Sequence, residues 1–172
     1  PYVMVLIKYD SSGVLQWKNE VSYIENLNGL SCRLDSSSNI YCLSTVGGTG
    51  TGWATYKFDS SGNLIWSRQI IANGDGYGDA IAVNGSSYYA IGQSAYGGWL
   101  NMFLTNFPTD GGRTGTFSVG GVPVVYTGMP VTVISGTYSD AAGSLVDSAG
   151  NFYAPVAISL TDSAASYSYV VQ

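Results

Sequence analysis

Side chains able to do chemistry are few in this chain. It has no histidine, so neither a Ser-His nor a Cys-His nucleophile can be assembled. Glu20 and Glu25 are the only glutamates. Glycoside hydrolysis needs two carboxylates converging across a cleft. The spacing of Asp75, Asp79, Asp140 and Asp162, in loops or at strand starts, does nothing to bring such a pair together. Asp10, Asp35, Asp59 and Asp147 each precede small polar residues. A calcium loop of the EF-hand kind wants oxygens at alternating positions and a late glutamate, and DSSGVLQW offers neither, so these aspartates read as turn formers. The glycines of VGGTGTG (46–52) are not followed by the Lys-Ser/Thr of a phosphate loop and read as a connector. No metal or cofactor is called for, and enzymatic activity is not expected.

Cys32 and Cys42 sit symmetrically about Ser37. Antiparallel pairing places them opposite one another, at a Cβ separation of about 4.5–5.5 Å in a non-hydrogen-bonded pair, against about 3.8 Å in a disulfide. The corresponding residues further along are Ile81 with Ala90 and Ser144 with Ala154, small or apolar in each case. A packed pair of free thiols is the preferred reading and a disulfide the alternative. Zinc would need further ligands.

The elements that carry these residues are strands. Hydrophobic residues make up 45% of the chain and charged residues only 10%, with glycine and tyrosine abundant, a composition for strands and tight turns. No stretch shows helical periodicity. No run of about 20 apolar residues is present, so membrane insertion is not expected. A net charge of −5 with six Lys and Arg lacks the clustered cations that nucleic acid demands. So little surface charge favours association, which suits a protein that lives in an assembly.

KYDSSGVLQW (8–17) returns as KFDSSGNLIW (57–66), 49 residues on. Gly13, Gly62 and Gly111 keep that interval, as do Lys8, Lys57 and Asn106, and Tyr9, Phe58 and Phe107. Three copies in register indicate a structural repeat. Each copy reads as two hairpins, the first around DSSG and the second at 30–44, 80–92 and 143–155. Strands are predicted at 3–9, 14–20, 30–34, 39–44, 53–58, 63–70, 80–84 and 87–92. Four strands in about 49 residues is the pattern of a β-propeller blade. The fold class expected is therefore all-β, with four-stranded antiparallel blade-like repeats over 1–50 and 51–97. An expanded third repeat covers 98–172, with an insertion near 115–135. A ring closes with roughly four to eight blades, so further blades ahead of Pro1, other chains, or another way of stacking are all open.

IKYDSSGVLQW, DSSSNIYCLS and KFDSSGNLIW resemble the propeller-type repeats of bacterial surface proteins and of virion proteins of tailed phages, especially phages of marine bacteria. LTNFPTDGGRTGTFSVGGVPVVYTG (104–128) is similar to the segment that follows the last such repeat in those phage proteins, with Asn106 in place of a lysine. The resemblance spans residues 3–127 and transfers no catalytic residue. It implies a structural component of a virion, such as a tail fibre, tail-associated or capsid decoration protein, located in the particle. Its partners would be other virion proteins or further copies of itself. The alternative is a carbohydrate-binding or adhesive module at the bacterial surface or outside the cell, with a host surface glycan as partner.

Four residues are the candidates for a partner or glycan contact. Trp53 and Trp99 each follow a glycine at a loop edge, where an aromatic can stack on a sugar. Val124 and Tyr126 lie in the strand-like insertion that breaks the repeat. Trp17 and Trp66, which share one repeat position, are expected in a core. Residues 1–9 and 115–135 are expected to lie against other protein, because open strand edges invite pairing.

Overall fold

The computed structural model describes residues 2–47, 52–72, 76–96, 99–119, 121–135, 157–161 and 166–170. The chain divides into two compact units, Pro1–Tyr138 and Ser139–Gln172. Every regular element described is a β-strand, and all described pairings are antiparallel.

In the first unit the strands are β1 (Met4–Tyr9), β2 (Leu15–Ser22), β3 (Asn26–Leu34), β4 (Ile40–Gly47), β5 (Trp53–Phe58) and β6 (Leu64–Ala72). They continue with β7 (Gly76–Asn84), β8 (Ser87–Tyr96), β9 (Trp99–Pro108), β10 (Gly115–Val119), β11 (Val122–Gly128) and β12 (Thr132–Ser135). The second unit holds one hairpin, β13 (Ala157–Thr161) with β14 (Ser166–Val170). The eight strands predicted from the repeat all occur, extended by two to four residues at several ends and starting one residue later in four of them. The hairpin predicted at 143–155 lies outside the described residues.

Three sheets build the first unit, in the orders β1-β2-β12, β10-β11-β6-β5-β4-β3 and β7-β8-β9. The hydrogen-bonded unit is displaced by one hairpin from the sequence copy. The second hairpin of the first copy, β3-β4, joins the first hairpin of the second copy, β5-β6, through the β4–β5 ladder. The same shift joins β7-β8 to β9.

Alternation along the strands gives the central sheet two buried faces. Tyr41, Leu43, Trp53, Trp66 and Ile70 turn one way, onto Ile81, Tyr88, Ala90, Phe103 and Phe107 of the β7-β8-β9 sheet. Leu27, Cys42, Val46, Ala54, Tyr56 and Phe58 turn the other way, onto Met4, Leu6 and Val21 of the β1-β2-β12 sheet. A sheet covered on both sides explains why β4 and β5 are almost continuously apolar or small, and why charge is so sparse there.

The insertion near 115–135 is part of this fold. β11 pairs with β6 from Val124↔Ala72 to Gly128↔Arg68, and β12 pairs with β2 from Thr132↔Ser22 to Ser135↔Asn19. The segment expected to lie against another protein is thus paired within the chain on one side, with β10 and β12 as outer strands of their sheets. β1 is the edge strand of its sheet. Its approach is tied to β3 by Tyr2 N donating to Asn26 Oδ1 (2.8 Å) and Leu27 N donating to Tyr2 O (3.1 Å).

Candidate functional site

The Asp-Ser-Ser turns are built alike. At Asp10, Asp35 and Asp59 the Oδ1 atom accepts the backbone amides two and four residues on, each at 2.9 Å. The Oδ2 atom accepts an amide side chain: Gln16 at 2.9 Å, Asn39 at 2.8 Å and Asn63 at 2.7 Å. Both carboxylate oxygens are thus spent on closing the turn, as the turn-former reading expects. Partial burial works against ionisation of Asp35, but hydrogen bonds from the Asn39 side chain and the Asn39 and Ser37 amides outweigh it and hold the carboxyl below 3.8. The Asn63 side chain, then the Asn63 amide, does the same for Asp59. Asp147 lies outside the described residues.

Each turn ends on a residue with positive φ. Gly13 (78°), Gly62 (87°) and Gly111 (69°) share the left-handed conformation at the 49-residue interval. That is physical evidence that the third copy, NFPTDG, keeps the turn its sequence has loosened. In the second hairpin of the first copy a serine, Ser38 (62°), fills the same role.

Successive copies are stitched together at these turns. Lys8 Nζ and Trp17 Nε1 both donate to Ser60 O, at 2.7 and 3.3 Å, and Asn19 Nδ2 donates to Gly62 O at 2.5 Å. One interval further, Lys57 Nζ and Trp66 Nε1 both donate to Thr109 O, at 3.2 and 3.1 Å, and Arg68 Nε donates to Gly111 O at 2.9 Å. Donors and acceptors alike move by 49 positions. The tryptophan ring lies on the turn glycine of the next copy: a Cβ on Gly62 would fall 3.0 Å from the Trp17 ring, and one on Gly111 2.9 Å from the Trp66 ring. Absence of a side chain at these glycines is what lets the indoles dock. The sequence showed Lys8, Lys57, Trp17 and Trp66 as register marks but not as donors. The signal for the stitch was present: a lysine and a tryptophan nine residues apart, repeated beside a glycine turn.

The four candidate contact residues stand differently. Trp53 is fully buried. Its side chain is housed by Gly78 and Gly92, a cross-strand pair on β7 and β8 whose added Cβ atoms would come within 3.1 Å of it, and it lies 6.4 Å from the Phe103 ring. Val124 and Tyr126 are buried as well, at 3% and 0% exposure. Tyr126 stacks on Phe107 at 3.9 Å and shares a hydrogen bond of 2.6 Å with Tyr88, whose hydroxyl also meets Thr55 Oγ1 at 3.1 Å. These three are core residues of the folded unit, which corrects the expectation that they meet a partner or a glycan. The cause is alternation: β11 turns Val124 and Tyr126 inward together. The Trp99 side chain lies outside the described residues.

Burial pushes the hydroxyls of Tyr56, Tyr88 and Tyr126 above the ordinary 10.0, outweighing the opposing pull of the Arg68 charge on the last two. They stay neutral and serve as hydrogen-bond links, Tyr56 to Ser44 at 2.8 Å. Cys32 and Cys42 face each other across β3 and β4 and are joined in a disulfide, with Cα atoms 4.2 Å apart. The preferred reading of free thiols is thereby corrected. The close approach of this pair brings the sulfurs within bonding reach, which an idealised Cβ separation did not allow for.

No family model, curated protein or solved structure matches the chain. Residues and geometry therefore carry the functional reading. The described surface also holds an open polar groove of about 560 Å³ beside the third turn, bordered by Ser86, Asn106, Asp110 and Arg113. No group of three or more His, Cys, Asp or Glu able to hold a metal occurs among the described residues.

Proposed function

We propose that this chain is a structural component of a phage virion, a tail fibre, tail-associated or capsid decoration protein, and that its sheets are propeller-type units in series. The observation that carries the reading is the doubled stitch. Three of the chain's six cations and two of its four tryptophans are spent on joining one copy to the next. A backbone carbonyl capped by a cation and an indole at once is held by two bonds, one of them charge-assisted, and the buried Asn19–Gly62 bond beside the first of them would strand a polar group if it were unmade. Such economy suits a part whose work is to stay rigid. The meander β3-β4-β5-β6 is the unit that would recur in a propeller, and the sequence resemblance to phage repeats supplies the setting.

The test is proteomic. Mass spectrometry of purified particles from a phage encoding the chain should find it at a fixed copy number, and immunogold labelling should mark the tail or capsid. Particles without the chain, with labelling confined to the surface of uninfected cells, would refute the virion reading. The polar groove at Asp110 and Arg113 favours a second reading, as a glycan-binding module. A glycan array would show binding that Arg113→Ala abolishes if this second reading holds.

A further inference from the structure

The turn at 10–13 has the same build as the stitched turn at 59–62 and shares a positive-φ glycine with the one at 108–111, but nothing among the described residues is seated on it. Its Asp10 carboxylate makes the same two amide bonds, and Gly13 has the same positive φ. Gly62 and Gly111 are buried under an indole, whereas Gly13 is exposed and a Cβ there would meet nothing within 4 Å. The carbonyls equivalent to those of Ser60 and Gly62 are those of Ser11 and Gly13, and no donor reaches either among the described residues.

We propose that the turn at 10–13 is a seat for a further repeat unit of this same kind. Its hairpin would bring a lysine, a tryptophan nine residues later and an asparagine or arginine two beyond that. The lysine and indole would cap the Ser11 carbonyl, the third side chain would reach the Gly13 carbonyl, and the indole would cover Gly13. The occupant is not a second copy of this chain. Its two donor trios, Lys8/Trp17/Asn19 and Lys57/Trp66/Arg68, are already engaged on its own turns. Residues 139–172 contain no Lys, Arg or Trp, so that unit cannot supply the pattern. At the other end the series stops. The positions one interval after Lys57, Trp66 and Arg68 are Asn106, Gly115 and Phe117, which carry no cation or indole to pass on. The repeat is thus polar, closed at its third copy and open at its first. This rests on the stitch alone and stands whether or not the chain belongs to a virion.

The experiment extends the full chain by a second copy of residues 1–49 fused ahead of Pro1, which keeps the interval of 49. Amide hydrogen exchange at Ser12, Gly13 and Val14 is compared with the unextended chain. Exchange should slow at least tenfold, and the protection should vanish when the lysine and tryptophan of the added copy are both changed to alanine. A second variant carries only the hairpin 4–22 on a flexible linker, where the linker supplies a high effective concentration, and it should behave the same way. Equal exchange with and without the lysine and tryptophan, in both variants, would overturn the proposal. So would a dimer of the unextended chain, seen by light scattering, that covers residues 10–14.

Discussion

The two faces of the central sheet bury different residues behind the same stitch. Towards β7-β8-β9 the filling is aromatic, with Tyr41, Trp66 and Tyr88 in mutual ring contact, Phe107 beside Tyr88 and Tyr126 stacked on Phe107. Towards β1-β2-β12 it is largely aliphatic, with Met4, Leu6, Val21, Leu27 and Val46 beside Tyr56 and Phe58. Yet Lys8, Trp17 and Asn19 cross one face as Lys57, Trp66 and Arg68 cross the other. The interval of 49 thus preserves the hydrogen-bonded joint and leaves the packing behind it free to vary. A directional bond fixes residue type and position, whereas an apolar contact asks only for volume.

The largest expected effect separates the two tryptophans. Trp66 is 6% exposed and in ring contact with Tyr41 and Tyr88, while Trp17 is only half-buried. Trp66→Ala should cost about 3–5 kcal/mol in urea unfolding, and Trp17→Ala clearly less. Equal losses would mean that the two faces do not differ in the way their packing implies.

Next comes the disulfide, which has no counterpart in the second copy, where Ile81 faces Ala90. Cys32→Ser with Cys42→Ala should lower stability by about 2–3 kcal/mol, the loop-closure value for a short loop. Reduction of the native chain should give a similar loss, measured by the unfolding midpoint with and without reductant.

Tyr88→Phe removes the hydroxyl between Thr55 and Tyr126 and should cost about 1–3 kcal/mol. The same tyrosines set a pH limit. Their folded pKa values lie above the unfolded value of 10.0. The stability they contribute is therefore fully present below about pH 10 and lost above it, as the unfolded chain ionises while the folded one does not. Tyrosinate absorbance should show a fraction that appears only with unfolding. Asp35 and Asp59 have the opposite sign: their contribution is present above the unfolded value of 3.8 and fades as the pH falls below it.

The smallest effect expected is a gain. Ser38 is a non-glycine residue at φ 62°, where glycine is less strained. Ser38→Gly should add about 0.5 kcal/mol in the same unfolding assay, the relief being partly offset by the greater freedom of glycine in the unfolded chain.

Much of this fold was legible in the sequence because turns and strands are local. DSSG needs an acceptor side chain and a glycine at fixed offsets, and both recur, so strand positions followed. The pairing of β4 with β5 was not legible, since it joins the end of one copy to the start of the next. The roles of Trp53, Val124 and Tyr126 were misread for a related reason. A glycine before Trp53 suggested an exposed loop edge, but the glycines that matter are Gly78 and Gly92, more than 20 residues away, whose missing side chains make room for the indole. Likewise the break in repeat pattern at 115–135 suggested a surplus segment, whereas β11 completes the aromatic core. Sequence alternation reports that a strand has a buried face, not which neighbour buries it.

The stitch can be tested most directly at its three glycines. Gly13→Ala, Gly62→Ala and Gly111→Ala meet the same left-handed backbone, which costs an alanine about 1 kcal/mol. Only the last two also drive a methyl group into an indole: at Gly62 into the half-buried Trp17, at Gly111 into the buried Trp66. Urea unfolding of the three variants should rank Gly111→Ala as most damaging, Gly62→Ala next and Gly13→Ala least, with about 1–3 kcal/mol of overpacking between the extremes. Equal destabilisation at all three would contradict the docking of each tryptophan on the following turn.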